Sequence, residues 1–296
     1  MARRATLVLS GGGARGAFQV GAEQVLRTEG GFEWEQVFGV SVGALNGALI
    51  AQHAYDRLEE IWQSITEKEI YRKVGRFKVA WRLAMQHKTG LYDSSPLRAT
   101  IEKYLGGNPF LIPLHVGRVS MVSGLYETVS SPDPEMLDAI WQSTTMPVIW
   151  EPIGPQAFVD GGLRNVTPLS DTLRYDCTEL VVIPCSLETI EPAPRPADIL
   201  ATVKRALADI MINEIFHGDL RGFTRINRLV TQAAAAGLTL RHTNGTPYRY
   251  CPLTLILPND PLGDTLDFSR AAIAKRLSAG QEAARACLAE SGSARR

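Results

Sequence analysis

The sequence predicts an α/β fold: a three-layer sandwich with a mainly parallel central sheet. Two observations lead there. Short apolar, β-branched runs alternate with longer stretches of good helix formers, and two glycine-rich turns stand where a strand gives way to a helix. No uninterrupted apolar run approaches the roughly 20 residues of a membrane span.

Thr6–Leu9 reads as the first strand, and Gly11-Gly12-Gly13 leads from it into a helix over Gly16–Arg27. Val37–Val40 is the second strand and Ala44–Gln63 the second helix. Pro96–Tyr104 and Pro134–Gln142 carry apolar residues three and four apart, as helices do, with the strand Val116–Val122 between them. Leu125–Ser130 and Gln156–Val159 are short strands in a hairpin-rich region, both bounded by Gly, Pro and Asp turn signals. Leu180–Ile183 and Leu253–Leu257 are further buried strands, and Ala197–Phe216 and Phe268–Leu288 further helices. The Pro-rich Glu191–Pro196 is a surface connection, because Leu253–Leu257 beyond it must join the same sheet. A single domain over 1–296 is expected, with its motifs in about 5–185 and a helical and C-terminal part at about 190–290.

The composition excludes some functions. With 31 Lys+Arg against 31 Asp+Glu the net charge is +0, which argues against nucleic acid as a partner. Cys177, Cys185, Cys251 and Cys287 form no C-x-x-C pair and neighbour no His cluster, so neither a metal site nor a disulfide framework is indicated. The apolar stretch at the N-terminus stops at Leu9, short of the roughly 7–15 residues of a signal-peptide core. A cytoplasmic location is expected, with peripheral membrane contact left open and oligomeric state undetermined.

Three segments carry chemistry. Gly11-Gly12-Gly13-Ala14-Arg15-Gly16 lies between a strand and a helix, where unpaired backbone N–H groups suit an anion. Gly11, Gly13 and Gly16 also fit a dinucleotide fingerprint, but Glu33 and Glu35 precede the second strand rather than follow it. Gly39-Val40-Ser41-Val42-Gly43 is a G-x-S-x-G between strand and helix, the context of a nucleophile elbow. There the Val42 N–H and the helix N-terminus favour negative charge beside Ser41; the alternative is a Ser N-cap with packing glycines. Asp160-Gly161-Gly162 follows a short strand and alone would be an ordinary turn.

In this order the three segments resemble the patatin-like phospholipase family. Ser143-Thr144-Thr145-Met146-Pro147, Glu151-Pro152, Asn165 and Pro168 extend the likeness, which covers most of 5–185. Ser10 stands where many relatives carry Asp, and Thr144-Thr145 is bulkier than the usual Ser/Ala pair. The resemblance implies a patatin-type fold, akin to lysophospholipases and acyl-carrier malonyltransferases, and no cofactor. It also implies a serine acyl hydrolase acting on phospholipids or lysophospholipids. Carried over by position, Ser41 is the nucleophile and Asp160 its base, while Gly11, Gly12, Gly13 and Val42 supply the oxyanion hole. Arg15 and Gly16 support the loop, and Gly39, Gly43, Gly161 and Gly162 are motif glycines. Asp has an unperturbed pKa of about 3.9, so this base must sit partly dry beside the serine.

Rival readings have their own residues. A Ser-Asp-His triad could draw on Asp160 or Asp171 with His217 or His242; His53, His87 and His115 have no motif. A transacylase would share the dyad, an NAD(P)-binding protein would use Gly11–Gly16, and a non-catalytic lipid binder would keep the fold. Finally, Lys68, Arg72, Lys73, Arg76, Lys78, Arg82 and Lys88 alternate with Ile70, Val74, Phe77, Trp81 and Met85. That is a basic amphipathic helix, suited to an anionic membrane or to packing on the core.

Overall fold

The computed structural model describes residues 3–71, 90, 92–175, 177–187, 189–190, 192–243 and 245–293. Strand β1 (Arg3–Leu9) leads through the glycine loop to helix α1 (Gly16–Thr28), and β2 (Phe32–Gly39) through the serine turn to α2 (Val42–Ala51). Helices α3 (Tyr55–Ser64), α4 (Glu67–Ile70) and α5 (Ser95–Leu105) precede the pair β3 (Leu114–Ser120) and β4 (Tyr126–Ser130). Then come α6 (Met136–Ser143), β5 (Phe158–Asp160), α7 (Leu169–Thr172) and β6 (Leu180–Ile183). Helix α8 (Ile199–Lys204) continues through a π-helical segment, Arg205–Met211, into α9 (Ile212–Ala235), and β7 (Leu253–Leu255) and α10 (Arg270–Ser293) close the chain.

The seven strands form one mixed sheet in the order β4-β3-β2-β1-β6-β7, with β5 also paired to β3. The pairings β1–β2, β1–β6, β2–β3 and β6–β7 are parallel, whereas β4 and β5 both run antiparallel to β3. Successive β1 side chains point to opposite faces. Leu7 and Leu9 pack with Phe18 of α1, Leu49 of α2 and Ile273 of α10, while Val8 packs with Phe38, Val182, Leu169 of α7 and Phe223 of α9. Helices therefore cover both faces, which is why β1 reads as a continuous apolar run. Beyond the Pro-rich connection, Leu253 pairs with Leu180, so β7 does join the sheet.

Two elements differ from the sequence reading, and a third lies mostly outside the described residues. The expected helix Ala44–Gln63 is two helices, broken at His53, which adopts φ 53°. There Ala54 N–H turns back to Leu49 O, and the apolar spacing runs on through the break and hides it. The helix expected to end at Phe216 continues to Ala235, burying Ile212, Phe216, Phe223 and Asn227 along one stripe. Gly218 and Gly222 lie within it without interrupting it, both facing open space. Of the basic stretch, residues 72–89 lie outside the described residues, and Lys68, Glu69 and Ile70 fall in α4.

Candidate active site

Strand β2 runs parallel to β3 with Gly39 opposite Val116, and stops there. Strand β5 arrives antiparallel along the same edge of β3, with Asp160 opposite Arg118. Two strand ends therefore meet head to head. At about 3.3 Å per residue, Val116 and Arg118 are roughly 7 Å apart, the rise that Val40 and Ser41 cover.

Ser41 caps α2 with φ 57°, a left-handed conformation costing on the order of 1–3 kcal/mol in a non-glycine residue. Its N–H donates to Ser143 Oγ at 2.9 Å. The flanking glycines are sterically required. A Cβ on Gly39 would lie 2.3 Å from Gly43 O, and one on Gly43 would lie 2.3 Å from Leu9 O. The Ser41 hydroxyl faces the Asp160 carboxyl closely enough to favour its ionised form. Such contacts commonly tighten once substrate binds.

Asp160 is only 2% exposed. Burial raises its pKa to about 6, against the opposing pull of the Ser41 hydroxyl and the Gly162 N–H. The Gly162 N–H donates to Asp160 Oδ1 at 2.8 Å, and Asp160 N–H donates to Thr145 O at 2.9 Å. Gly161 lets the turn lie against β3, since a Cβ there would be 2.4 Å from Gly117 O.

The glycine loop runs beside the serine turn. Gly11 corrects the expectation of a free donor: its N–H donates to Val166 O at 3.1 Å and anchors the loop. The N–H groups of Gly12, Gly13 and Val42 have no protein acceptor among the described residues. All three residues line the cavity in front of Ser41. Gly12 is pressed against β6's continuation, with a Cβ site 2.3 Å from Cys185 Cβ, and Gly13 has φ 57°. Gly16 brings α1 close to the serine turn, its Cβ site 2.4 Å from Val42 Cγ2. Ser10 has a defined job in place of the usual Asp. Its Oγ accepts the Cys185 N–H at 2.8 Å and donates to Gly11 O at 2.9 Å. Arg15 donates to Gly263 O at 2.7 Å and pairs with Asp209 at 3.4 Å, so it braces the loop between two later segments.

The cavity, about 180 Å³, opens on Ser41 and is walled by Leu45, Leu49, Trp62, Ile101, Met146 and Leu207 among others. Asp160 is its only carboxylate and Arg15 its only cationic side chain among the described residues, and no histidine borders it there. The triad residues are not brought together. His217 lies along α9 with its ring against Phe216, His242 stacks on Tyr248, and Asp171 accepts the Tyr126 hydroxyl at 2.8 Å. His115 stacks on Phe38, its pKa lowered by burial to about 4. His87 lies outside the described residues. The dinucleotide reading fails on direction: Glu33 and Glu35 lie at the start of β2, the end of the sheet opposite the loop.

Sequence reasoning missed Ser143 as a partner, Val166 as an anchor, and Asn46. From within α2, Asn46 donates to Gly16 O and Gln19 Oε1, both at 3.0 Å, and accepts the Trp62 Nε1–H at 2.8 Å. No local pattern marks a mid-helix Asn whose partners lie 16, 27 and 30 positions away.

The sequence profile described as patatin-like phospholipase matches residues 7–173. No curated protein matches the chain in sequence. Among solved structures it is similar to VipD from Legionella pneumophila, at 12% identity and TM-score 0.44, over 97% of this chain and 67% of that one. It is also similar to a chain of the full-length SpcU–ExoU complex from the type III secretion system of Pseudomonas aeruginosa. There the identity is 14% and the TM-score 0.30, over 97% of this chain and 71% of that one. Because the matched profile spans more than half of the sequence and includes all three segments that converge on Ser41, the chain belongs to the patatin-like phospholipase family.

Proposed function

We propose that the chain hydrolyses acyl esters of phospholipids or lysophospholipids, with Ser41 as nucleophile and Asp160 as its base. The observation that carries this reading is that Ser41 and Asp160 line one apolar cavity together, the serine hydroxyl facing the carboxyl. Ser41 Oγ attacks the ester carbonyl carbon as Asp160 takes its proton. Negative charge gathers on the carbonyl oxygen, where the N–H groups of Gly12, Gly13 and Val42 and the α2 N-terminus stabilise it. Collapse breaks the ester C–O bond, and the proton on Asp160 passes to the leaving alkoxide. Water, deprotonated in turn by Asp160, then releases the fatty acid. The raised pKa of Asp160 makes it a better base than an ordinary carboxylate while leaving it ionised at neutral pH.

The test is incubation with a panel of phospholipids and lysophospholipids, with products identified by mass and an alcohol added as a competing acceptor. Ser41→Ala should abolish release of fatty acid, and a fluorophosphonate probe should label Ser41 alone. Labelling of another serine, or full activity in the variant, would overturn the assignment. Acyl transfer to the alcohol in preference to water would make the chain a transacylase with the same dyad.

A further inference from the structure

Strand β3 runs past the level of Asp160 and delivers a tight tip, Met121–Leu125, to β4. This tip begins three residues beyond Arg118, the partner of Asp160, hence roughly 10 Å further along the sheet. It stands at the end of the sheet that holds Ser41. Met121 is 54% exposed, Val122 67% and Leu125 60%. Among the described residues nothing buries these apolar side chains, although a hairpin tip ordinarily carries polar residues.

Two segments that line the cavity itself repeat the pattern at this end of the molecule. Met146, Pro147 and Ile149 line the cavity, but Val148 between them is exposed and adopts φ 73°. A β-branched residue in that region is strained, and here it is also an exposed apolar side chain beside cavity-lining neighbours. In the second segment Val203 and Leu207 line the cavity while Ile199 and Ile210 face solvent. Charge fits as well. Arg164 is exposed, donates to Gly124 O within the tip, and has no acidic partner among the described residues.

We propose that this rim, led by Met121, Val122 and Leu125 with Arg164 behind them, seats the protein on a phospholipid bilayer surface. The apolar side chains enter the boundary between headgroups and acyl chains, and the guanidinium meets a headgroup phosphate. The cavity mouth then faces the layer from which an ester must be withdrawn. This rests on the lipid hydrolase reading for its purpose, though not for its measurement.

The full chain is compared with Val122→Ser/Leu125→Ser in two assays: sedimentation with phosphatidylcholine vesicles containing phosphatidylglycerol, and turnover of a soluble short-chain ester. The double variant should bind vesicles at least about tenfold more weakly, because two apolar contacts are lost. Its turnover of the soluble ester should stay at the wild-type level, which also reports that it is folded. Val122→Trp should bind more tightly, with its emission shifted to the blue on adding vesicles. Arg164→Gln should weaken binding more on the anionic vesicles than on phosphatidylcholine alone. Equal binding by wild type and double variant, or no binding by wild type, overturns the proposal. So does a change confined to self-association in sedimentation velocity, which would make the rim an interface between copies. Tip-dependent binding without ester turnover would leave the docking surface standing and remove the hydrolase reading instead.

Discussion

A carboxyl group shut away from water resists ionisation, and Asp160 shows the consequence in two measurements. First, kcat/KM should fall about tenfold per pH unit below about 6 and level off above it, because the free enzyme needs Asp160 ionised as base. Second, its pKa in the folded chain stands above the ordinary aspartate value of 3.8, so its contribution to stability is fully present below pH 3.8 and lost as pH rises through about 6. At neutral pH the ionised group costs up to about 3 kcal/mol. Asp160→Asn should therefore lose nearly all activity yet melt at a higher temperature than wild type at pH 8, with the gain vanishing near pH 4. An unchanged or lowered Tm at pH 8 would show that the carboxylate is not held at an energetic cost. Gly12 offers an independent residue-level check. It has an extended φ of 164°, so Gly12→Ala should act through its collision with Cys185 rather than through backbone strain. Turnover should drop about a hundredfold as the loop donors move. Pairing it with Cys185→Gly should restore a measurable part, whereas a loop that plays no part in turnover would be indifferent to both changes.

At the level of elements, the three motifs could be read from the sequence because each occupies a junction whose chemistry is local. A glycine loop, a G-x-S-x-G and an Asp-Gly-Gly each announce their own turn. What could not be read is set by distant neighbours. Gly11 looked like a donor until Val166 O was found to occupy its N–H, and the break at His53 has no Gly or Pro to mark it. The hairpin-rich reading around Leu125–Ser130 holds, since β4 returns antiparallel to β3, but nothing local marks that β5 pairs with the same strand. Asn46 is the clearest case: a polar residue in an apolar helix that ties α1, α2 and α3 together. Asn46→Ala should destabilise the fold by about 2–3 kcal/mol in urea denaturation, because the Trp62 N–H is left buried without an acceptor. An effect below about 1 kcal/mol would mean that the helices hold their places by packing alone.

On the scale of the whole molecule, the profile match ends at residue 173, but the packing does not. Helices α1 and α10 cross backbone to backbone: a Cβ on Gly21 would lie 2.0 Å from Leu277 O, and one on Gly280 would lie 2.0 Å from Phe18 O. From the same α10, buried Arg276 donates to Leu262 O, Asp264 O, Asp267 O and Ala14 O, so the last helix props the segment that holds the glycine loop. Gly280→Ala should cost at least about 3 kcal/mol, since backbone cannot yield as a side chain can. Removal of α10 should leave an insoluble chain; a stable, active fragment ending before residue 270 would show that the C-terminal part is an accessory. The head-to-head meeting of β2 and β5 carries one more consequence. Nucleophile and base lie on either side of the exposed turn at Gly106 and Gly107, so a break there parts them onto two polypeptides. Neither piece could turn over an ester, and mixing them would restore activity only where β3 docks between them, making catalysis a readout of fragment complementation.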